Sequence, residues 1–184
     1  MNAGFALFDT PIGICAVVWA ERGLIGTSLP ALGPGPDDAA TRAGVQRRFR
    51  HARELAPPPA VQRAIARVQG LLRGGSDDLA DIALDMTAVA DHAQRVYAIV
   101  RRLRPGTTSS YGDVALDLGE PHAARAVGHA LGANPFPIIV PCHRVLAAGS
   151  KAGGFSAPGG TRTKLRLLEI EGAPLGGSPG LFDR

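Results

Sequence analysis

The sequence predicts a two-part α/β protein. A small mixed unit of strands and helices covers residues 1–88, a mainly α-helical unit covers 89–172, and a loosely held tail covers 173–184. Three observations predict this. Short β-rich runs punctuated by Gly and Pro open the chain, apolar residues then recur at helical spacing, and from 106 onward short helical segments alternate with tight turns. With 184 residues there is length for one domain or two small ones.

Residues 5–8, 14–19 and 24–29 read as strands, separated by Pro11, Gly13, Gly23 and Pro30. The Gly/Pro-rich stretch 31–38 reads as a loop. Val45, Phe49 and Ala52 then mark a helix among Arg42, Arg47, Arg48, Arg50 and Arg53, whose simplest role is a solvated face. The Pro57–Pro59 run interrupts the chain. Val61, Ile65, Val68 and Leu72 mark a second helix, stopped by Gly74 and Gly75, and 82–84 reads as a strand. A third helix is expected over 91–103, with Ala93, Val96, Val100 and Leu103 on one face and Pro105-Gly106 after it.

A pair of short helices follows. The first spans 111–118 and stops at Gly119; the second opens at Pro121 and runs to Leu131, before Gly132. Two helices around a tight turn make a helix-turn-helix candidate. In the second helix Ala124, Val127 and Leu131 form the inward stripe. His122, Arg125 and His129 fall on another face, and the small Ala123 and Ala126 would let backbone approach a surface closely. Asn134-Pro135 and Pro137 set a turn into the apolar run 136–140, which reads as a buried strand.

The run ends in Pro141-Cys142-His143-Arg144-Val145. A thiol is a poor nucleophile until deprotonated, and a neighbouring His or Arg can stabilise the thiolate. Polar residues directly after a buried run favour a reactive thiol over an inert one. Cys15, the other cysteine, reads as a small core residue. Two cysteines exclude a disulfide framework and a four-cysteine zinc site, and fit a reduced compartment. Net charge of +4 and a pI near 9.7 are compatible with a polyanionic partner. The apolar run 12–20 is too short to span a membrane, and Asp9 stands where a signal peptide would be basic, so a cytoplasmic protein is expected.

Taken together, Ser110-Tyr111-Gly112, the run 123–128 (AARAVG), Asn134-Pro135, Pro141-Cys142-His143-Arg144-Val145, Gly154-Phe155-Ser156 and Leu167-Leu168…Glu171-Gly172 resemble the O⁶-alkylguanine-DNA alkyltransferases. The resemblance covers 91–172; before it only the strand–helix order and Thr10-Pro11-Ile12-Gly13 correspond loosely. It implies an RNase H-like N-terminal domain with a small antiparallel sheet, and a helical C-terminal domain. It implies DNA repair by direct reversal, in which the alkyl group of O⁶-alkylguanine moves irreversibly from duplex DNA to the protein; O⁴-alkylthymine is a candidate second substrate, and the sequence does not set the preference between them.

Residue by residue, the resemblance makes Cys142 the alkyl acceptor and His143 its base through a water. A glutamate orients that histidine. Glu169 and Glu171 are candidates; the family pattern places it before a glycine, and Glu171 lies three and four residues beyond Leu168 and Leu167, at the margin of the buried face. Arg125 would fill the gap left by the rotated base, with Ala123 and Ala124 against the minor groove. Tyr111 would help rotate the nucleotide and donate to guanine N3. Phe155 and Pro137 would wall the pocket, the Ser156 amide would face O⁶, the carbonyls of Cys142 and Val145 would accept from the exocyclic amine, and Asn134 would brace the turn. No metal and no cofactor is implied, and a monomer is expected.

The chain departs from the family pattern at His92, where an apolar residue is usual, and at 156–160 (SAPGG), a longer loop than the common Ser-Gly-Gly. A lesion-binding alkyltransferase-like protein, the alternative reading, would typically lack Cys142. A cysteine hydrolase would place its histidine far from the cysteine in sequence. A transcription regulator would dimerise over half-sites.

Overall fold

The computed structural model describes residues 3–31, 37–150 and 152–173. Three strands, β1 (Ala3–Thr10), β2 (Gly13–Ala20) and β3 (Gly23–Ser28), form an antiparallel meander. Its turns need positive φ at Gly13 and Gly23; at Gly23 a Cβ would also lie 2.7 Å from the Ala83 carbonyl oxygen. Helix α1 (Asp37–Arg48) leads to β4 (Ala52–Glu54), which pairs parallel to β1. The order is β3-β2-β1-β4, so the sheet is mixed rather than purely antiparallel.

Both faces of this sheet are covered. Phe5, Ala16 and Val18 pack with Val45 of α1 on one side. Ala6, Cys15, Val17 and Trp19 face the other, where they join α2 (Pro59–Leu72) and the later helices in one continuous core. This explains why β2 is apolar at successive positions instead of alternating: both of its faces are buried.

Among the later elements, α3 (Asp91–Val100) and α5 (Ala124–Gly132) are joined by the Tyr97 hydroxyl, which donates to the Ala130 carbonyl at 2.9 Å. Helix α4 (Tyr111–Asp117) is opened by a capping box in which Ser110 accepts from the Asp113 amide and Asp113 accepts from the Ser110 amide. A short parallel pair, β5 (Ser109–Ser110) with β6 (Val145–Leu146), ties the start of α4 to the segment after Cys142, and α6 (Thr161–Ile170) closes the fold.

Several sequence expectations are corrected. The helix around Val45 starts earlier, at Asp37, and ends at Arg48. Ala52 belongs to β4, because the open edge of β1 supplies backbone partners that a longer helix would forgo. Asp38 is therefore helical, while 32–36 of the expected loop lie outside the described residues. Residues 82–84 make only one bridge, Leu24 to Leu84, before the Asp85 carboxylate accepts from Thr87 and turns the chain. Helix α3 stops at Val100 in tighter turns ahead of Pro105, which disfavours helical backbone in the residue before it.

Pro121 and His122 lie in a turn, and α5 begins at Ala124 with Ala123 as its cap. Glu120, held by Arg95 of α3 at 2.8 Å, fixes that turn. The run 136–140 is a turn, not a strand: Pro135 and Pro137 lack the N–H a ladder needs. Ala173, expected to be loose, is buried against Leu146 and Leu168; 174–184 lie outside the described residues.

Candidate active site

The turn that presents Cys142 is held from within. Asn134 is buried; its side-chain nitrogen donates to the Val140 carbonyl at 2.9 Å, and its oxygen accepts from the Phe136 amide at 2.9 Å. Between these bonds Ile138 adopts φ 77°, a conformation a β-branched residue avoids. Strain of this kind costs about 1–3 kcal/mol and persists only where the surroundings over-determine the backbone. The sheet supplies that constraint too: buried Thr27 of β3 donates its amide to the Pro135 carbonyl at 2.8 Å and its hydroxyl to the Pro137 carbonyl at 2.7 Å.

Cys142 then starts a 3₁₀ turn through Arg144. Burial pushes its thiol pKa up, opposed by a hydrogen bond from Asn134 and by the charge of Lys164. The resting group is therefore a thiol. His143 is fully buried, and burial lowers its pKa against the pull of Glu171, so the resting imidazole is neutral.

His143 Nε2 lies 2.9 Å from Glu171 Oε1. Burial raises the Glu171 pKa, but hydrogen bonds from His143 and Arg144 outweigh it and bring the carboxyl down to about 2. A carboxylate only accepts, so Nε2 carries the imidazole proton and Nδ1 is left with its lone pair. That Nδ1 is buried and has no hydrogen-bond partner among the described residues.

Glu171 reaches this position through the end of α6. It is the C-cap residue, and Gly172 follows with φ 67°. The Gly172 amide donates to the Glu169 carbonyl and the Ala173 amide to the Leu168 carbonyl, a Schellman ending that turns the chain back and leaves Glu171 facing inward. Glu169 instead points to solvent, paired with Arg166.

The arginine after the histidine does not serve the thiol. Arg144 is buried and grips Glu171 bidentately, with both nitrogens at 2.8 Å, while another of its nitrogens donates to the Leu103 carbonyl. The cation felt by Cys142 is Lys164, which sequence reasoning missed. It is wholly buried on α6, donates to the Val145 carbonyl at 2.7 Å, and sits 5.8 Å from the Tyr111 ring centre. Burial lowers its pKa to about 8. The signal was available: Lys164 lies three and four residues before Leu167 and Leu168, on the buried face.

Two clefts meet at Cys142. One, of about 340 Å³, runs between Tyr111, Gly128 of α5, Phe155 and Ser156. The other, of about 240 Å³, opens toward the sheet and includes Thr27, Arg48, Asn134, Pro137, Phe155 and Ser156 in its walls. Tyr111, Asn134, Pro137, Phe155 and Ser156 thus line the clefts at the thiol, while the paired His143 and Glu171 are buried and line neither. Val145 is buried and lines neither cleft; Lys164 already occupies one lone pair of its carbonyl. Arg125 is exposed on α5, with Ala123 and Ala124 partly buried at the start of that helix. His92 sits 3.7 Å from Glu120, at the junction of α3 with the helix pair.

The arrangement is a buried thiol at two clefts, followed directly in the chain by a neutral imidazole that is paired with a carboxylate. Comparison with known proteins gives it a lineage. The family described as 6-O-methylguanine DNA methyltransferase, DNA binding domain, matches residues 91–173. The methylated-DNA–protein-cysteine methyltransferase of Methanothermobacter thermautotrophicus is 34% identical over 70% of each chain. The mouse (Mus musculus) protein of the same name is 33% identical over 94% of this chain and 82% of its own. This chain belongs to the methylated-DNA–protein-cysteine methyltransferase family. The fold agrees along nearly the whole length: Mycobacterium tuberculosis OGT, solved in complex with DNA, superposes with a TM-score of 0.71 at 31% identity, covering 93% of this chain and 95% of that one. The methyltransferase family is so named for transfer to a protein cysteine, and of the two cysteines here Cys142 is the one that lines both of these clefts. Cys15 is sealed in the core, and burial pushes its thiol up to about 12.

Proposed function

We propose that this protein repairs DNA by direct reversal, moving the alkyl group of an O⁶-alkylguanine in duplex DNA to Cys142, once per molecule. The observation that carries the reading is Cys142 lining a cleft together with Tyr111 and α5, with the buried His143–Glu171 pair starting at the next residue. The O⁶ carbon of a stacked base is out of reach of a protein thiol, so the nucleotide must leave the duplex and enter that cleft.

The residues divide the chemistry as follows. The Cys142 proton passes through a water to His143 Nδ1, the buried lone pair that lacks a partner among the described residues. Glu171 stabilises the resulting imidazolium. The thiolate attacks the alkyl carbon, the carbon–O⁶ bond breaks, and its electron pair enters the guanine ring. Tyr111 donates a proton at N3, so that neutral guanine leaves. Burial raises the Tyr111 pKa, which keeps the phenol protonated until the transfer. The product is a thioether, which thiol exchange does not reverse.

Phe155 and Pro137 wall the pocket, the Ser156 amide faces O⁶, and the Cys142 carbonyl accepts from the exocyclic amine. The Val145 carbonyl serves the same amine through its second lone pair. Asn134 keeps the turn rigid. Helices α4 and α5 act as a helix-turn-helix docked in the minor groove, Ala123 and Ala124 allowing close approach while Arg125 fills the space of the rotated base. Arg125 has no ion-pair partner among the described residues, which supports a role outside the fold. We read residues 1–88 as an RNase H-like domain, 89–172 as the DNA-binding and acceptor domain, and the protein as a cytoplasmic monomer.

The test is direct. Reduced protein incubated with a duplex carrying a single O⁶-methylguanine should gain one methyl group on the Cys142 peptide by mass spectrometry, and Cys142→Ser should bind the duplex without reacting. Folded, reduced protein that leaves the lesion intact sinks the reading.

A further inference from the structure

The cleft on the sheet side of Cys142 is larger than a methyl group needs. It meets the Tyr111 cleft at Cys142, Phe155 and Ser156. In an in-line displacement the sulfur, the attacked carbon and O⁶ lie on one line, so anything else bonded to that carbon projects sideways. With the guanine ring in the Tyr111 cleft, the sheet-side cleft is the space left for such a substituent. Its walls are of two kinds. Pro137, Phe155 and Pro158 are apolar and suit a methylene, whereas Thr27, Ser28 and Arg48 are polar.

Arg48 is the cation among the described lining residues, and it comes from the end of α1, outside the stretch 91–173 that the family model matches. Its guanidinium lies 5.2 Å from the Phe49 ring centre and makes no ion pair among the described residues. The side chain lines the cleft while staying exposed to solvent, and its partial burial lowers its pKa, with the Tyr97 hydroxyl as the opposing influence. An arginine stays charged through such a shift, so the cleft holds a cation with no carboxylate among its described lining residues.

We propose that this cleft selects O⁶ substituents that carry a negative charge, carboxyalkyl groups of which carboxymethyl is the smallest, with Arg48 as the residue that recognises them. The proposal rests on the alkyl-transfer reading above and names a substrate class for the same thiol. A carboxylate on the attacked carbon would repel an incoming thiolate and lose its water in the cleft; a guanidinium beside it offsets both effects through a charge-assisted hydrogen bond. The step balances as before: the sulfur–carbon bond forms, the carbon–O⁶ bond breaks, guanine leaves protonated, and Cys142 becomes S-carboxymethylcysteine.

The test compares three duplexes of one sequence, carrying O⁶-methylguanine, O⁶-carboxymethylguanine or its neutral amide analogue O⁶-carbamoylmethylguanine. Single-turnover transfer to Cys142 is followed for wild type, Arg48→Gln and Arg48→Lys. The quantity read is the carboxymethyl-to-carbamoylmethyl rate ratio within each protein, which cancels losses of fold or of general DNA affinity. The ratio should fall about tenfold in Arg48→Gln, the size of one lost charge-assisted contact, and be largely retained in Arg48→Lys. An unchanged ratio in Arg48→Gln overturns the assignment. Wild-type protein that transfers no methyl group removes the reading on which it stands, a distinct result.

Discussion

At the scale of single residues, the site is a set of charges whose values come from burial and neighbours. Glu171 is the clearest. Its carboxyl falls from 4.5 to about 2 in the fold. A depressed carboxyl contributes stability that is present above its unfolded pKa and is lost as pH falls through the folded one. Wild type should therefore lose on the order of 3 kcal/mol from this group between pH 4.5 and pH 2. In Glu171→Gln that loss should be absent, and urea unfolding at several pH values measures the difference. The same variant leaves Arg144 buried without its carboxylate, so it should also be less stable at pH 7, by about 3–5 kcal/mol. Lys164 makes a second prediction. Lys164→Met should shift iodoacetamide labelling of Cys142 to higher pH, because the cation that favours the thiolate is gone; peptide mapping separates this from Cys15. An unshifted profile would show that Lys164 does not act on the thiol.

At the scale of elements, the decisive features are helix ends. The capping box at Ser110 and Asp113 fixes where α4 begins and so where Tyr111 projects. The Schellman ending at Gly172 fixes where Glu171 projects. Gly172→Ala meets no steric obstacle, since nothing lies within 4 Å of the added carbon, but it must hold φ 67°. It should cost about 1 kcal/mol in stability and slow alkyl transfer by more than that loss explains, because the His143 partner is displaced. Stopped-flow transfer beside urea unfolding distinguishes the two effects. Legibility at this scale was uneven. The glycine stop after α4 followed from the turn residues, and the choice of Glu171 over Glu169 from the family resemblance, with which helix periodicity agrees. The early end of the helix at Arg48 did not, since it depends on a partner strand distant in sequence. Nor did the turn at 136–140, where an apolar, β-rich run is bent by Asn134 and two prolines.

At the scale of the whole molecule, the sheet and the thiol turn form one mechanical unit. Thr27 of β3 holds two carbonyls of the turn that carries Cys142, across more than a hundred residues of chain. Thr27→Val keeps the shape and removes the hydroxyl, leaving the Pro137 carbonyl unpaired. It should destabilise by about 1–3 kcal/mol and lower the transfer rate, since the strained Ile138 backbone loses a restraint. A fall in stability with an unaltered rate would confine the sheet to a supporting role. The sheet side also brings Arg48 to the second cleft, which no local pattern around Cys142 anticipates.

What the sequence determined by itself was local. The strands of the meander, the two short helices and the Cys142-His143 pair are set by periodicity, turn residues or motif spacing acting over a few neighbours, and the glutamate before Gly172 was picked out by the family resemblance. The tertiary structure decided which charges meet. Arg144, adjacent to the thiol in sequence, turns away to Glu171, while Lys164, some twenty residues on, supplies the cation that Cys142 feels. The physical reason is desolvation: once these groups are buried, each must be satisfied by whatever partner the packing brings within reach, and sequence distance does not measure that reach.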